Sequence, residues 1–376
     1  MSLTAFGGPQ VHIAYFLDRF VDKRGYLTEK ELLELNALCQ ILPGPTSTQT
    51  ITAIGFRIGG PGLAYLTLLF WALPAVAMLT FAAIALSTFE KKEEILHIIR
   101  FIQPMAVGFI AFAAYKITSK VIESKSGILV LILSTILSLV ASSPFLFPFL
   151  ILLGGLVTAF KYKRQPKIEK NEPLKVKWAN FILWGAFLII GGALATFTHW
   201  MPVKLFENFY RNGSLIFGGG QVLIPLLYTE FVTLKDYLSS PEFLSGFGLA
   251  QAVPGPVFSF SAYIGALSLR DMGIWGMLTG GFVAAAGIFL PGTFLIFFVI
   301  RFWDNLKRYR IVRASLEGIT AASSGMVIAA AIILFLPLEN NFINPLLIIT
   351  TFLLLQFTKI KAPFIIIAGV ILGVII

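Results

Sequence analysis

The sequence has 376 residues, of which 57% are hydrophobic and only 13% charged, with a formal net charge of +10. An average soluble domain carries about 25% charged residues, so this chain lacks the polar side chains to cover a soluble surface, and a soluble enzyme gives way to a polytopic membrane protein. The single cysteine, Cys39, excludes an internal disulfide and any multi-cysteine metal centre. The three histidines (His12, His97, His199) are dispersed, and no metal or other cofactor is expected. Lysines and arginines fall mostly in short loops between apolar runs, a topology signal rather than a nucleic-acid surface. Met1–Ala5 hold neither a basic region nor a long apolar stretch, so no cleavable leader is expected there.

In chain order, residues 1–57 mix apolar residues with Gly, Pro, Gln, Ser and Thr, the composition of a broken helix or re-entrant hairpin. Irregular backbone at membrane depth persists only where protein or a wet cavity satisfies it. Four apolar runs follow, at 61–89, 95–117, 127–142 and 145–160. The basic stretch KYKRQPKIEKNEPLKVK (161–177) is a loop, and 178–200 is a further run. Residues 205–270 return to the mixed composition, and runs at 274–300, 314–337, 343–357 and 362–376 complete the chain. Several runs fall below the roughly 20 residues needed to cross about 30 Å of hydrocarbon. They come in adjacent pairs, so a pair that fails to cross leaves the topology unchanged.

The chain repeats itself. FGGPQVHI at 6–13 matches FGGGQVLI at 217–224, and QILPGP at 40–45 matches QAVPGP at 251–256, both at an offset of 211. Pro74 matches Pro291 and Gly108 matches Gly325 at an offset of 217, which a six-residue insertion near Arg270 explains. The expected organisation is a first unit at 1–160, a basic linker with one connecting span at 161–204, and a second unit at 205–376. If the motif regions are re-entrant, the crossings between the units are odd in number and the second unit is inverted. With 161–177 in the cytoplasm, the cytoplasmic segments hold 22 of the 29 lysines and arginines, as the positive-inside rule requires. The N-terminus is then cytoplasmic and the C-terminus outside. The fold expected is all-α, with two inverted repeats whose broken helices meet near the membrane midplane, as in secondary transporters.

The motifs carry the candidate chemistry. In the first, Gly7 and Gly8 with Gln10, and Gly218, Gly219 and Gly220 with Gln221, allow close backbone approach. The helix that follows should begin near Gln10 or Gln221 and offer free N–H groups to an anion; a Gly-rich helix crossing is the bland reading. In the second motif, Pro43, Gly44 and Pro45 (Pro254, Gly255 and Pro256) stop one helix and start another. Gln40 and Gln251 precede the turns. Thr46, Ser47, Thr48, Gln49 and Thr50 supply donors after the first turn, and Ser259 and Ser261 after the second, so a site richer on the first-unit side is expected; a proline kink with capping hydroxyls is the alternative. Arg57 and Arg270 are interfacial, either snorkelling or attracting an anion. Glu317 is placed to pair with Arg313. His12, replaced by Leu223 in the second copy, is either packed or titrating. No Walker A sequence and no acid–base cluster suggest ATP or lipid-phosphate hydrolysis.

FGGP…LPGP and FGGGQ…VPGP resemble the chromate ion transporter family in its long, two-domain form, over essentially the whole chain. The resemblance implies export of chromate from the cytoplasm across the prokaryotic inner (plasma) membrane, driven by membrane potential or a proton gradient. The glycines, glutamines and prolines named above, with Thr46, Ser47, Thr48 and Ser259, are then the substrate-binding candidates. Chromate is the expected ligand, with a transporter or passive channel for another oxyanion such as sulfate as the alternative; the lipid bilayer is the surroundings, and a homodimer is left open. One departure stands out: LFENFYRNGSLI (205–216) precedes the second FGG motif, whereas MSLTA precedes the first.

Overall fold

The computed structural model describes residues 2–6, 8–88, 99–121, 124–141, 143, 146–161, 177–216, 220–303 and 309–375, which are helical with short connections and contain no strand. Helix α1 (Gly8–Phe16) runs into a π-helical turn (Leu17–Asp22) and the chain reverses at Gly25. Helix α2 (Glu29–Ile41) opens on a capping box, in which the Thr28 hydroxyl accepts from the Glu31 N–H and the Glu31 carboxylate accepts from the Thr28 N–H. These bonds, with Arg57 close by, hold the Glu31 carboxyl below its ordinary pKa.

After the Pro43–Pro45 turn comes α3 (Thr46–Thr88), which breaks at Gly59 and Gly60. A Cβ on Gly55 would lie 3.1 Å from the Ala64 Cα and 2.6 Å from the Thr67 hydroxyl. Contacts that close across nine to twelve residues mean the arm 46–58 folds back on the arm beginning at Pro61. The end of the expected broken segment thus forms a helical hairpin with the first apolar run. Then come α4 (Ile102–Val121), α5 (Lys125–Val140) and α6 (Leu146–Ala159). Residues 89–98, which include the end of the first apolar run and the start of the second at 95, lie outside the described residues.

Helix α7 (Ala179–Thr198) buries only Ala195 and packs at the periphery on α8 (Met201–Leu215) and on α12, described next. The second half then retraces the first: α9 (Gly220–Tyr228) with its own π-helical turn (Thr229–Leu234), α10 (Ser240–Ala252), α11 (Phe260–Ser268), α12 (Gly273–Val299), α13 (Arg310–Phe335), α14 (Ile343–Phe357) and α15 (Ala362–Ile375). Ser239 and Glu242 form the same capping box as Thr28 and Glu31. Arg270 pairs with Glu242 at 2.6 Å as Arg57 pairs with Glu31. Gly44 and Gly255 share φ values of 119° and 121°, and Gly60 and Gly273 values of 71° and 69°.

Among the described residues, four helices are long and apolar enough to cross a membrane: Thr46–Thr88, Ala179–Thr198, Arg270–Val299 and Arg310–Phe335. The paired helices α5, α6, α14 and α15 have 14 to 16 residues, roughly 21–24 Å at 1.5 Å per residue, short of the hydrocarbon thickness. Exposed apolar side chains such as Phe70, Leu152, Phe197 and Phe364 cover the outer faces, as lipid contact requires. The chain is an all-α, multi-pass membrane protein.

The two halves interlock. Gly108 on α4 abuts the Ile348 carbonyl and Thr351 of α14, and its counterpart Gly325 on α13 abuts the Leu131 carbonyl and Ser134 of α5. Glycine is needed there because lipid supplies no hydrophobic drive between helices, which associate by close backbone packing and hydrogen bonds. Thr135 adds such a bond, donating to the Gly325 carbonyl at 3.1 Å. Residue i of the first half meets residue j of the second, and the counterpart of i meets the counterpart of j. Such reciprocity is the signature of a two-fold relation.

Candidate anion-binding site

The same reciprocity builds the centre. The Gly44 N–H donates to the Ile216 carbonyl at 2.7 Å, and the Gly255 N–H donates to the Ala5 carbonyl at 2.9 Å. Ala5 and Ile216 immediately precede the two FGG motifs, so each PGP turn is tied to the FGG segment of the other half. A Cβ on Gly44 would sit 3.4 Å from the Gly292 Cα, and one on Gly255 2.9 Å from the Ala75 Cβ. Each turn therefore nests against the long helix of the opposite half, one residue beyond its proline, Pro291 or Pro74.

This crossing sets helix directions. In the first half, α1 and α3 both start at the centre and run outward, while α2 ends there; α9, α11 and α10 do the same in the second half. Each terminus carries about half a charge, so four N-termini against two C-termini leave a net positive field of roughly one charge with no cationic side chain. Helices α1 and α9 begin at Gly8 and Gly220, slightly earlier than the expected Gln10 and Gln221. The side chains of Gln10 and Gln221, and residues Gly7, Gly218 and Gly219 altogether, lie outside the described residues.

Of the remaining candidates, Pro43, Gly44, Pro45, Thr46, Ser47, Thr48, Pro254, Pro256 and Ser259 are buried together at these turns; Gly255 and Gln251 are half-buried and Gln40 is exposed. The donors divide differently from expectation. Gln49 spends its amide nitrogen on the Pro43 carbonyl at 2.6 Å and the Gly292 carbonyl. Thr50 donates to the Thr46 carbonyl, and Ser47 is bonded to His12. Among the described residues, the buried hydroxyls without a partner in the protein include that of Thr48 and, in the second half, those of Ser245, Ser259 and Ser261. Thr48 and Ser259 occupy equivalent positions three residues past Pro45 and Pro256. An unsatisfied buried hydroxyl costs about 1–3 kcal/mol, so a ligand that accepts from both would recover that cost. Thus donor number in the first copy does not translate into free donors.

Asn212, fully buried on α8 with neither side-chain polar atom partnered, also belongs here, one turn before Ile216. Sequence reasoning missed it because Asn212 lies ahead of the second FGG motif, outside the two repeated motifs on which the candidates were chosen. Arg57 and Arg270 are not aimed at the centre: each closes an ion pair at the outer end of its hairpin. Glu317 accepts from the Ser124 N–H, linking α13 to the start of α5.

A cleft of about 460 Å³ lies between α2 and α13, lined by Glu34, Ala37, Gln40, Ile41, Trp303, Val312, Leu316 and Thr320. The equivalent seam between α10 and α4 is tight: a Cβ on Gly248 would fall 2.1 Å from Ile102 Cγ2. The cleft runs along α2 to Gln40, three residues before the Pro43 turn. Among the described residues no cluster of His, Cys, Asp and Glu could hold a metal.

Crossed hairpins inside a bundle of apolar helices, with helix N-termini and neutral hydroxyls at the crossing, are the arrangement of a membrane transporter whose cargo is an anion. The profile of the family described as chromate transporter matches residues 1–159 and 203–374, and the chain belongs to that family. It is 26% identical over 379 residues to the chromate transport protein of Cupriavidus metallidurans, covering 98% of this chain and 89% of that one. It is 25% identical over 383 residues to an uncharacterized transporter of Methanocaldococcus jannaschii, covering 100% of this chain and 92% of the other. An uncharacterized transporter of Bacillus subtilis is 26% identical over 181 residues, 46% of this chain but 96% of its own length. No solved structure matches the chain.

Proposed function

We propose that the protein is a secondary transporter that carries chromate, or a related tetrahedral oxyanion such as sulfate, out of the cytoplasm through two inverted repeats. The observation that carries this reading is the crossed pairing of Gly44 with Ile216 and Gly255 with Ala5, which points four helix N-termini at one place beside the unpartnered hydroxyls of Thr48 and Ser259. A dianion there is held by backbone N–H groups and neutral donors, firmly enough to be selected and weakly enough to leave. The repeats are 1–160 and 205–376, joined by 161–204. Reciprocal contacts between the halves favour this division, and so does a relative about half as long.

The basic runs favour an N-terminus in the cytoplasm and a C-terminus outside, in the plasma (inner) membrane. In that orientation the cleft beside α2 opens to the cytoplasm while the α10–α4 seam closes the outer side, the asymmetry expected of one state of an alternating-access cycle. Radiolabelled chromate uptake into everted vesicles, with sulfate as competitor, tests the reading. Saturable uptake is expected. Thr48→Val combined with Ser259→Ala should raise the half-saturation concentration about 100-fold or more, because each hydrogen bond to a charged group contributes about 1.5–3 kcal/mol. Unchanged uptake in the double variant would remove the turns from the site.

A further inference from the structure

We propose that His12 is the proton-coupling residue of this transporter, its protonation deciding whether Ser47 donates a hydrogen bond to the imidazole or to the transported anion. The proposal rests on the anion-transport reading above.

The geometry assigns the protons. His12 is buried on α1, its Nε2 3.2 Å from the Ala5 carbonyl and its Nδ1 3.0 Å from Ser47 Oγ. A carbonyl only accepts, so Nε2 carries a hydrogen; in the neutral ring Nδ1 is then the acceptor and Ser47 the donor. Ser47 is the second residue of α3, beside Thr48, and Ala5 is the residue whose carbonyl receives the Gly255 N–H. The imidazole thus joins the FGG segment of the first half to the start of α3, with the Trp71 ring edge-on at 5.0 Å.

A proton from water that binds Nδ1 turns this nitrogen into a donor. Ser47 Oγ then accepts from Nδ1–H, and the Ser47 hydrogen is released toward an anion at the start of α3. No bond to the anion forms or breaks, and the proton returns to water when the anion leaves. The groups facing the ring are neutral. The segment before α1 contributes the Ala5 carbonyl, and α3 contributes Ser47 and Trp71. From α2 the Cys39 thiol is turned to Thr50. Asp18, Arg19 and Lys23 of the adjoining turn are exposed, with Asp18 and Lys23 paired at 2.8 Å. Among the described residues no carboxylate answers a charged His12, so the anion is its counter-charge, and proton and anion bind with mutual gain.

The second half lacks the device. Leu223 stands where His12 would be and Phe258 where Ser47 would be, both buried. Histidine and its hydroxyl partner are replaced together, which leaves one relay per chain and one proton per anion. A dianion leaving with one proton moves one net negative charge. An inside-negative potential therefore drives export, whereas an outside-acid pH gradient opposes it.

The test uses the whole protein in proteoliposomes with radiolabelled chromate and an internal pH dye. For the wild type, a chromate gradient is expected to move protons in the same direction, and chromate affinity to rise about tenfold from about pH 8 to about pH 5, inside the usual 5–150-fold range of such couplings. His12→Gln should keep binding and chromate–chromate exchange, lose proton movement, and show less than about a twofold pH response. Comparing variant and wild type at each pH cancels the titration of chromate itself. Ser47→Ala, which leaves the ring in place, should flatten the pH response in the same way and serves if His12→Gln misfolds. Proton movement with a wild-type pH response in either variant overturns the proposal. Wild-type exchange without proton movement also overturns it while leaving the transport reading intact. Failure of the wild type to bind or exchange any oxyanion would defeat the transport reading itself.

Discussion

Gly44→Ala should injure both the fold and the transport of this protein, and the structure lets the cost be worked out. Gly44 sits at φ 119°, outside the left-handed region that other residues visit, and such strain costs about 1–3 kcal/mol. The new Cβ would also fall 2.9 Å from the Gln49 Nε2, displacing the amide that braces Pro43 against Gly292. A lost buried hydrogen bond adds roughly 1 kcal/mol, for a total of about 2–4 kcal/mol. Gly25→Ala is the control. Its φ of 59° is left-handed but permitted, and nothing lies within 4 Å of the added carbon, so only about 1 kcal/mol is expected. Thermal unfolding of both variants in detergent, followed by chromate uptake normalised to folded protein, separates strain from damage to the turn. Gly44→Ala should unfold at the lower temperature and carry little chromate, with Gly25→Ala near wild type. If the two are equally stable and equally active, the PGP turn is not the rigid element described here.

Cysteines placed at Asp22 and Asp236 in a Cys39→Ala background should label from opposite faces of the membrane, since the loops after the two π-helical turns occupy equivalent places in inverted units; labelling from one face would refute the inversion. Arg57→Gln should change stability by about 1 kcal/mol or less, as for other exposed ion pairs, and Arg270→Gln by more, because its pair with Glu242 is half-buried and the carboxylate would be left without its partner. Their effects should shrink with added salt, and an abolished, salt-independent transport in either variant would mean that the arginine reaches the anion. Gly108→Leu and Gly325→Leu should destabilise to similar degrees, because the same backbone contact occurs twice; the Cβ atoms would start 2.8 Å from Thr351 Cβ and 2.4 Å from the Leu131 carbonyl. A large loss in one and none in the other, read from unfolding in detergent, would break the two-fold correspondence.

The sequence by itself determined the elements and their duplication. Apolar runs longer than about 14 residues became helices because a lipid-exposed backbone must satisfy its own hydrogen bonds. The turns were equally legible: a backbone at φ near 120° admits only glycine, and the proline on either side stops one helix and starts the next, so the requirement is written in the residues at 43–45 and 254–256. The density of hydroxyls after Pro45 misled for the complementary reason. Whether Ser47, Gln49 or Thr50 is free to meet a ligand depends on what it already touches, and those partners lie on distant segments, at His12 and Gly292, or on the helix turn itself. Asn212 stayed hidden because it lies on α8, outside both repeated motifs, and its burial comes from the packing of that helix. The crossing of Gly44 with Ile216 and Gly255 with Ala5 was decided by tertiary structure alone. It joins residues 172 and 250 apart in sequence through backbone atoms that every residue carries, so no side-chain pattern could announce it.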